Sequence, residues 1–253
     1  MTTTNEFAGR TALVTGAASG IGSACALWLD AQGIGTLVLV DTDENGLRAL
    51  PLNCKIHIVT GSVADRALWQ RLEQQVPELH YAVANAGVGG SGTIAEHSWE
   101  SWRQVMDVNC DGVFLTLQYA MPAMKRAGGG SAVVTSSVTG IKPVAGIGAY
   151  GVAKAGVAHL ARIAALEGAP DKIRINAIAP GGVDTAIWEG SPEFLASVAE
   201  HGREETLKGM AAGTPRGQFA TTEEIAAQIG FLLGESSANI TGAVLTSDGG
   251  WSL

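Results

Sequence analysis

The chain lacks the features that mark several large functional classes. Only 16% of its 253 residues are charged, and no cluster of Lys and Arg is long enough to track a phosphate backbone. With a net charge of -8 and a pI near 5.1, a polyanion is repelled, so nucleic-acid binding is not expected. No apolar run reaches membrane-spanning length; those present are strand-length and broken by glycine, so no membrane association is expected. The stretch Met1–Arg10 has no apolar core of a signal peptide, which predicts a cytoplasmic protein. Cys25, Cys54 and Cys110 are an odd number without metal-ligand spacing, and Cys25 shares a helical face with Ile21 and Trp28, so core packing is expected. The histidines, His57, His80, His97, His159 and His201, show no ligand spacing either, and no metal is predicted. There is no short-period repeat, low-complexity tract or linker, which argues for one domain.

What is present is hydrophobic residue, 46% of the chain, ample for one well-buried core. Apolar, strand-like runs alternate with helix-like segments: Thr11–Thr15, Thr36–Val40, Ile56–Thr60, Tyr81–Ala84, Ala132–Thr135, Ile173–Ile178 and Ala243–Thr246. Several are continuous rather than alternating in polarity, as strands covered on both faces should be. The pattern predicts an α/β fold, a parallel sheet of about seven strands with helices on both sides. Gly128, Gly129 and Gly130 mark a loop entering the fifth strand.

The run Thr15–Gly22 follows the first strand and opens a helix in which Ile21, Ala24, Cys25 and Trp28 recur at helical spacing. Gly16, Gly20 and Gly22 permit a tight turn and close backbone approach. The amides around Ser19, Gly20 and Ile21, at the positive end of the helix, favour phosphate oxygens. Asp41 stands at the end of the second strand, nineteen residues beyond Gly22. A carboxylate there accepts hydrogen bonds from a ribose diol and repels a 2'-phosphate. Ala17, Ala18, Ser19 and Thr42 are uncharged, so nothing is placed to bind an extra phosphate, and NAD is predicted over NADP.

Tyr150 and Lys154 lie four apart on a helix and share a face, so an ammonium can stand beside a phenol and favour its ionised form. Oxidising an alcohol requires a base for the hydroxyl proton while hydride leaves carbon, and Tyr150 is the candidate. Working near neutral pH from an unperturbed pKa of about 10 calls for a shift of roughly 3 units, or about 4 kcal/mol of phenolate stabilisation. Lys154 and a positively charged nicotinamide ring both push that way. In the reverse direction Tyr150 donates the proton to a carbonyl that Ser137 polarises. Ser137 sits among Thr135, Ser136 and Thr139, and strand-end hydroxyls often serve only to cap or turn the backbone.

These motifs, in this order, resemble the short-chain dehydrogenase/reductase family in its roughly 250-residue form. The similarity runs essentially end to end: the Thr15–Gly22 turn, Asn85-Ala86-Gly87 after the fourth strand, Asn109, Ser137, Tyr150 with Lys154, and Pro180-Gly181 leading to Val183 and Thr185. The resemblance implies a Rossmann-like doubly wound sheet, a catalytic group of Asn109, Ser137, Tyr150 and Lys154, and a homotetramer. Its spacing to Tyr150 selects Ser137 over Ser136. It further implies that Asn109 holds a helix kink and a water joining Lys154 to a proton relay. Asn85, Ala86 and Gly87 would line the adenosine ribose side, Pro180, Val183 and Thr185 the nicotinamide end, and Lys154 the nicotinamide ribose. Ser62, before Val63, replaces the Asp that commonly meets the adenine amino group, and Asp65 nearby reads as a helix cap.

Substrate choice should rest with residues 186–214, a segment of the kind that forms lids. Its Trp188, Phe194, Leu195, Val198, Leu207 and Met210 recur at roughly helical spacing. They either wall a pocket or pack two short helices, and packing is expected for most. Trp188 is the preferred substrate contact, with Val138, Thr139, Val144, Gly89 and Gly182 behind it. No paired Arg residues await a carboxylate near the catalytic motifs, so a neutral, partly apolar secondary alcohol or ketone is expected. The terminal Trp251-Ser252-Leu253 is expected to dock, in the resembled family at a subunit contact. A non-catalytic dinucleotide-binding regulator of the same fold and an NADPH-dependent ketoreductase are the competing functions; filled catalytic positions disfavour the first and Asp41 the second.

Overall fold

The computed structural model describes residues 6–253, so the first half of the Met1–Arg10 stretch lies outside it. Seven parallel strands, β1 (Thr11–Thr15), β2 (Thr36–Asp41), β3 (Lys55–Thr60), β4 (Tyr81–Ala84), β5 (Gly130–Thr135), β6 (Ile173–Pro180) and β7 (Val244–Ser247), form one sheet. Their order is β3-β2-β1-β4-β5-β6-β7. This is the Rossmann-like doubly wound topology, and its order reverses between β1 and β4, where a crevice opens at the carboxyl ends of the strands.

Side-chain alternation along each strand feeds two separate cores. Leu13, Val38, Val40, Ala82, Ala84 and Val134 face one layer, which holds α3 (Arg66–Gln75), α5 (Gly112–Arg126) and α6 (Gly148–Gly168). Ala12, Val14, Leu37, Leu39, Val83 and Val133 face the other, which holds α1 (Gly20–Ala31) and α9 (Thr222–Leu233). Because both faces are covered, the strands read as continuous apolar runs. Each fully buried Leu or Val is worth about 1.5–3 kcal/mol. The edge strands β3 and β7 are the more exposed ones.

The remaining helices are α2 (Glu44–Ala49), α4 (Trp99–Met106), α7 (Pro192–His201) and α8 (Arg203–Ala211). Asp65 caps α3 through the Ala67 amide at 2.9 Å, as expected. Cys25 is buried, and burial pushes its thiol up to about 12. No group of potential metal ligands, and no helix long and apolar enough to cross a membrane, occurs among the described residues.

One expectation shifts and one is met. Residues 186–214 do form a 3-10 turn (Ala186–Gly190) followed by α7 and α8, but of their apolar set only Phe194 is buried. Leu195 and Met210 are exposed, so packing accounts for less of that segment than the spacing suggests. The carboxyl terminus docks within its own chain: Lys142 Nζ donates to the Trp251 carbonyl at 3.1 Å and stands 5.0 Å from the centre of its ring, whereas Leu253 is exposed.

Candidate active site

The end of β1 is built around one hydroxyl. Thr15 Oγ1 accepts from the amides of Asn85 and Ala86 at 2.9 and 3.0 Å, and Asn85 Nδ2 donates back to the Thr15 carbonyl at 3.1 Å. This draws the Asn85-Ala86-Gly87 strand end against the glycine turn. A Cβ on Gly16 would stand 2.8 Å from Ala86 Cα, and one on Gly22 would overlap the Gly16 carbonyl, so the turn closes only with glycine at both.

Beyond the turn, Ser19 precedes α1 without making a side-chain cap, and the first turn carries no acid. The amides that open α1 are therefore left to an outside anion, the arrangement a pyrophosphate needs. Asp41 ends β2 beside them. Its Oδ2 accepts from the Ala18 amide at 3.0 Å and its Oδ1 from the Asp43 amide at 3.1 Å, which fixes a partly exposed carboxylate facing the turn. These residues fit the pyrophosphate and ribose of a nicotinamide dinucleotide. Further along this edge Ser62 Oγ accepts from the Ala64 amide at 3.2 Å, and Val63 is buried against Gly112.

The opposite end of the crevice holds the four candidate catalytic side chains. β5 delivers Ser136 and Ser137, and their roles separate by hydrogen bonding. Buried Ser136 donates to the Lys154 carbonyl at 2.7 Å, tying strand to helix. Ser137 Oγ accepts from the Thr139 amide at 3.2 Å and from Thr139 Oγ1 at 3.0 Å, which leaves its own proton for another acceptor. That geometry favours Ser137 as the substrate-facing hydroxyl on grounds independent of spacing.

Tyr150 and Lys154 share a face of α6, with Lys154 Nζ 5.5 Å from the centre of the Tyr150 ring. The ammonium does not bond the phenol; it donates to the Thr135 carbonyl at 2.8 Å. Burial pushes Lys154 down to about 8 and pushes the Tyr150 phenol up to about 12, with the Ser137 hydroxyl acting the other way. Burial thus outweighs the Ser137 hydroxyl at the phenol, and of the two cations expected to favour phenolate only Lys154 belongs to the chain.

Asn109 lies in a π-helical segment, Asp107–Asp111, between α4 and α5. Fully buried, it donates to the carbonyls of Val88 and Val105 at 2.9 and 3.0 Å and accepts from the Val88 amide at 3.3 Å. A Cβ on Gly87 would stand 2.6 Å from Asn109 Oδ1 and 3.4 Å from Lys154 Nζ, so Asn109, Gly87 and Lys154 converge.

Pro180 ends β6, and the chain turns through Val183 and Thr185 toward α1. Thr185 Cγ2 lies 3.1 Å from where a Cβ on Gly20 would stand. Trp188 is held by its indole: Nε1 donates to the Val183 carbonyl at 2.7 Å, and the ring stacks on Phe219 at 5.7 Å with a 7° interplanar angle. Sequence reading named Thr15, Thr135 and Ser136 but assigned no role to the Thr15 hydroxyl, the Thr135 carbonyl or the Ser136 hydroxyl. It missed Ile187, whose carbonyl comes within 3.0 Å of a Cβ position on Gly89.

Comparison with known proteins identifies the family and the fold. A family model described as enoyl-(acyl carrier protein) reductase matches residues 16–252. The cis-4-hydroxycyclohexanecarboxylate dehydrogenase of Sinomonas cyclohexanicum is 36% identical, covering 97% of each chain. The cyclohexanol dehydrogenase of Acinetobacter sp. (strain SE19) is 34% identical over 98% of this chain and 96% of its own. The crystal structure of levodione reductase superposes with a TM-score of 0.88 at 30% identity, covering 97% of this chain and 98% of that one.

Proposed function

This chain belongs to the short-chain dehydrogenase/reductase family, and from that premise we propose that it is an NAD-dependent oxidoreductase interconverting a cyclic secondary alcohol and its ketone. Oxidoreductase chemistry on a CH–OH group follows from the relatives; the cofactor, the acid/base residue and the ring substrate are our proposals. A nicotinamide dinucleotide supplies the hydride acceptor when bound. Gly16, Ser19, Gly20, Ile21 and Gly22 would hold its pyrophosphate side, Asp41 its adenosine ribose, and Ser62, Val63, Asn85, Ala86 and Gly87 the adenosine end. Lys154, Pro180, Val183 and Thr185 would hold the nicotinamide side.

The observation that carries the reading is the division of labour between Ser136 and Ser137. Ser137 keeps a proton to donate to the substrate oxygen, and Tyr150 exchanges the proton of that oxygen. Lys154, anchored at Thr135, holds its positive charge beside the phenol, while Asn109 fixes the backbone beneath it. Trp188, partly exposed, is proposed to meet the substrate ring from residues 186–214, which act as the lid.

The test is NAD+ reduction with a panel of cyclic secondary alcohols, run beside Tyr150→Phe. Loss of turnover by roughly 10²–10⁴-fold with retained NADH binding is expected, and near-normal turnover in the variant would refute it. Held protonated, Tyr150 is equally suited to donate a proton, so ketone reduction with NADH is the second direction to assay.

We also propose a homotetramer. Val152, Ile163 and Leu166 are exposed, and at 100° per residue they share one stripe of α6. An apolar stripe of this kind favours association between copies.

A further inference from the structure

Arg203 opens α8 and takes no part in the proposed proton transfer. Its Nε and Nη2 donate to Asp184 Oδ1 at 3.1 and 2.6 Å, and Nη2 also donates to the Thr185 carbonyl at 3.2 Å. Nη1 reaches Glu189 Oε1 at 3.4 Å, and the guanidinium carbon stands 5.4 Å from the centre of the Phe194 ring. One planar cation therefore joins α8 and α7 to both ends of the turn Ala186–Gly190. A lone exposed ion pair contributes little, but a planar fork shared by two carboxylates, a carbonyl and a ring fixes direction as well as charge.

What this network holds in place matters for the crevice. Between Asp184 and Glu189 the chain makes its two approaches to the site: Thr185 Cγ2 against Gly20 in the glycine turn, and the Ile187 carbonyl over Gly89. Asp184 and Glu189 are both acidic, and Arg203 offsets the repulsion between them. Lys208, the other cation of α8, is engaged with Glu205 at 3.2 Å.

We propose that Arg203 is a positioning residue that holds residues 184–190 down on the glycine turn and Gly89, so that it sets dinucleotide affinity without touching the reacting atoms. The proposal rests on the reading of residues 186–214 as the lid of a dinucleotide site.

The experiment compares wild type, Arg203→Met, Arg203→Lys and Asp184→Asn. The readouts are NADH affinity, KM and kcat for the alcohol, and amide hydrogen exchange over residues 184–190, at low and high salt. Arg203→Met keeps an unbranched side chain and removes the charge and the guanidinium over Phe194. It is expected to weaken NADH binding about tenfold, leave kcat within about twofold and speed exchange across 184–190. Asp184→Asn should shift the same way, and Arg203→Lys should recover part of the loss. Salt should weaken NADH binding more in wild type than in Arg203→Met. Unchanged exchange and unchanged NADH affinity in both Arg203→Met and Asp184→Asn would overturn the proposal. If wild type binds no NADH, the proposed function fails, and the exchange contrast alone decides the role of Arg203.

Discussion

Lys154 Nζ donates to the carbonyl of Thr135 at 2.8 Å, so the ammonium beside Tyr150 is anchored to the last residue of β5 rather than to the phenol. The bond crosses from helix to strand and places a buried positive charge at a fixed point under the crevice. Burial depresses Lys154 from 10.5 to about 8.

That depression has a sign in stability. Between pH 8 and 10.5 the unfolded chain holds the Lys154 proton more tightly than the native protein, so stability attributable to this group rises with pH across that window. The span corresponds to about 3 kcal/mol at most. Denaturant unfolding of wild type and Lys154→Met from pH 7 to 10 should show wild type gaining on the variant as pH rises. Parallel curves would mean that Lys154 is not buried as a cation.

The tyrosines make a second pH prediction. Burial raises the phenols of Tyr81, Tyr119 and Tyr150, the last to about 12. Native protein without dinucleotide should therefore show almost no tyrosinate absorbance below pH 10, whereas the unfolded chain titrates near its usual value of about 10. Stability should fall above pH 10, because the native state keeps protons that the unfolded chain has lost. Adding NAD+ should let one tyrosine ionise at lower pH, and that change should be missing from Tyr150→Phe.

The parts of this site that were legible in the sequence are those whose geometry is local. The Thr15–Gly22 turn carries its own steric requirement, Asp41 lies where β2 must end, and a spacing of four puts Lys154 on the Tyr150 face. The direction of the Lys154 bond was not legible, since Thr135 is nineteen positions away and only strand–helix packing brings its carbonyl near. The choice of Ser137 over Ser136 came from the spacing of the resembled family, and its physical reason was not legible, because it lies in the Lys154 carbonyl that occupies the Ser136 hydroxyl. Arg203 was invisible for the same reason: its partners Asp184 and Glu189 lie in a turn with no periodicity, and its role exists only once the turn is folded back. Trp188 stood out as an aromatic near the cofactor motif, but the Val183 carbonyl and the Phe219 ring that orient it lie outside any local pattern.

Asn109 offers a test of the buried polar clamp. Truncation in Asn109→Ala leaves the Val88 amide and the carbonyls of Val88 and Val105 without this partner in a closed interior. A loss of about 2–4 kcal/mol is expected from the abandoned hydrogen bonds. The denaturation midpoint should drop accordingly, and turnover should fall further than stability alone explains, since Gly87 and Lys154 adjoin the same amide. A variant of wild-type stability would remove Asn109 from the framework of the site.

The α6 stripe can be tested by charge. Leu166 is 79% exposed in the single chain, so Leu166→Glu should cost the isolated fold little. If the stripe is covered in an assembly, the variant should lower the solution mass measured by light scattering. An unchanged mass would place any subunit contact elsewhere.

Cofactor choice is the prediction most directly written in the crevice. The Asp41 carboxylate is held by the amides of Ala18 and Asp43, so it cannot swing away from a 2'-phosphate without giving up both. On the proposed NAD reading, discrimination should come from a fixed negative charge as well as from bonds to a ribose diol. Asp41→Ala should weaken NADH binding through the lost diol contacts and strengthen NADPH binding through the lost repulsion. The ratio of the two affinities should shift by about 10–100-fold, as expected for like-charge repulsion of about 1–3 kcal/mol at an accessible site. Because the repulsive part is electrostatic, the shift should shrink at high salt. Equal or tighter NADPH binding by wild type would reverse the assignment, and no change of the ratio in Asp41→Ala would show that the discriminating group lies outside the end of β2.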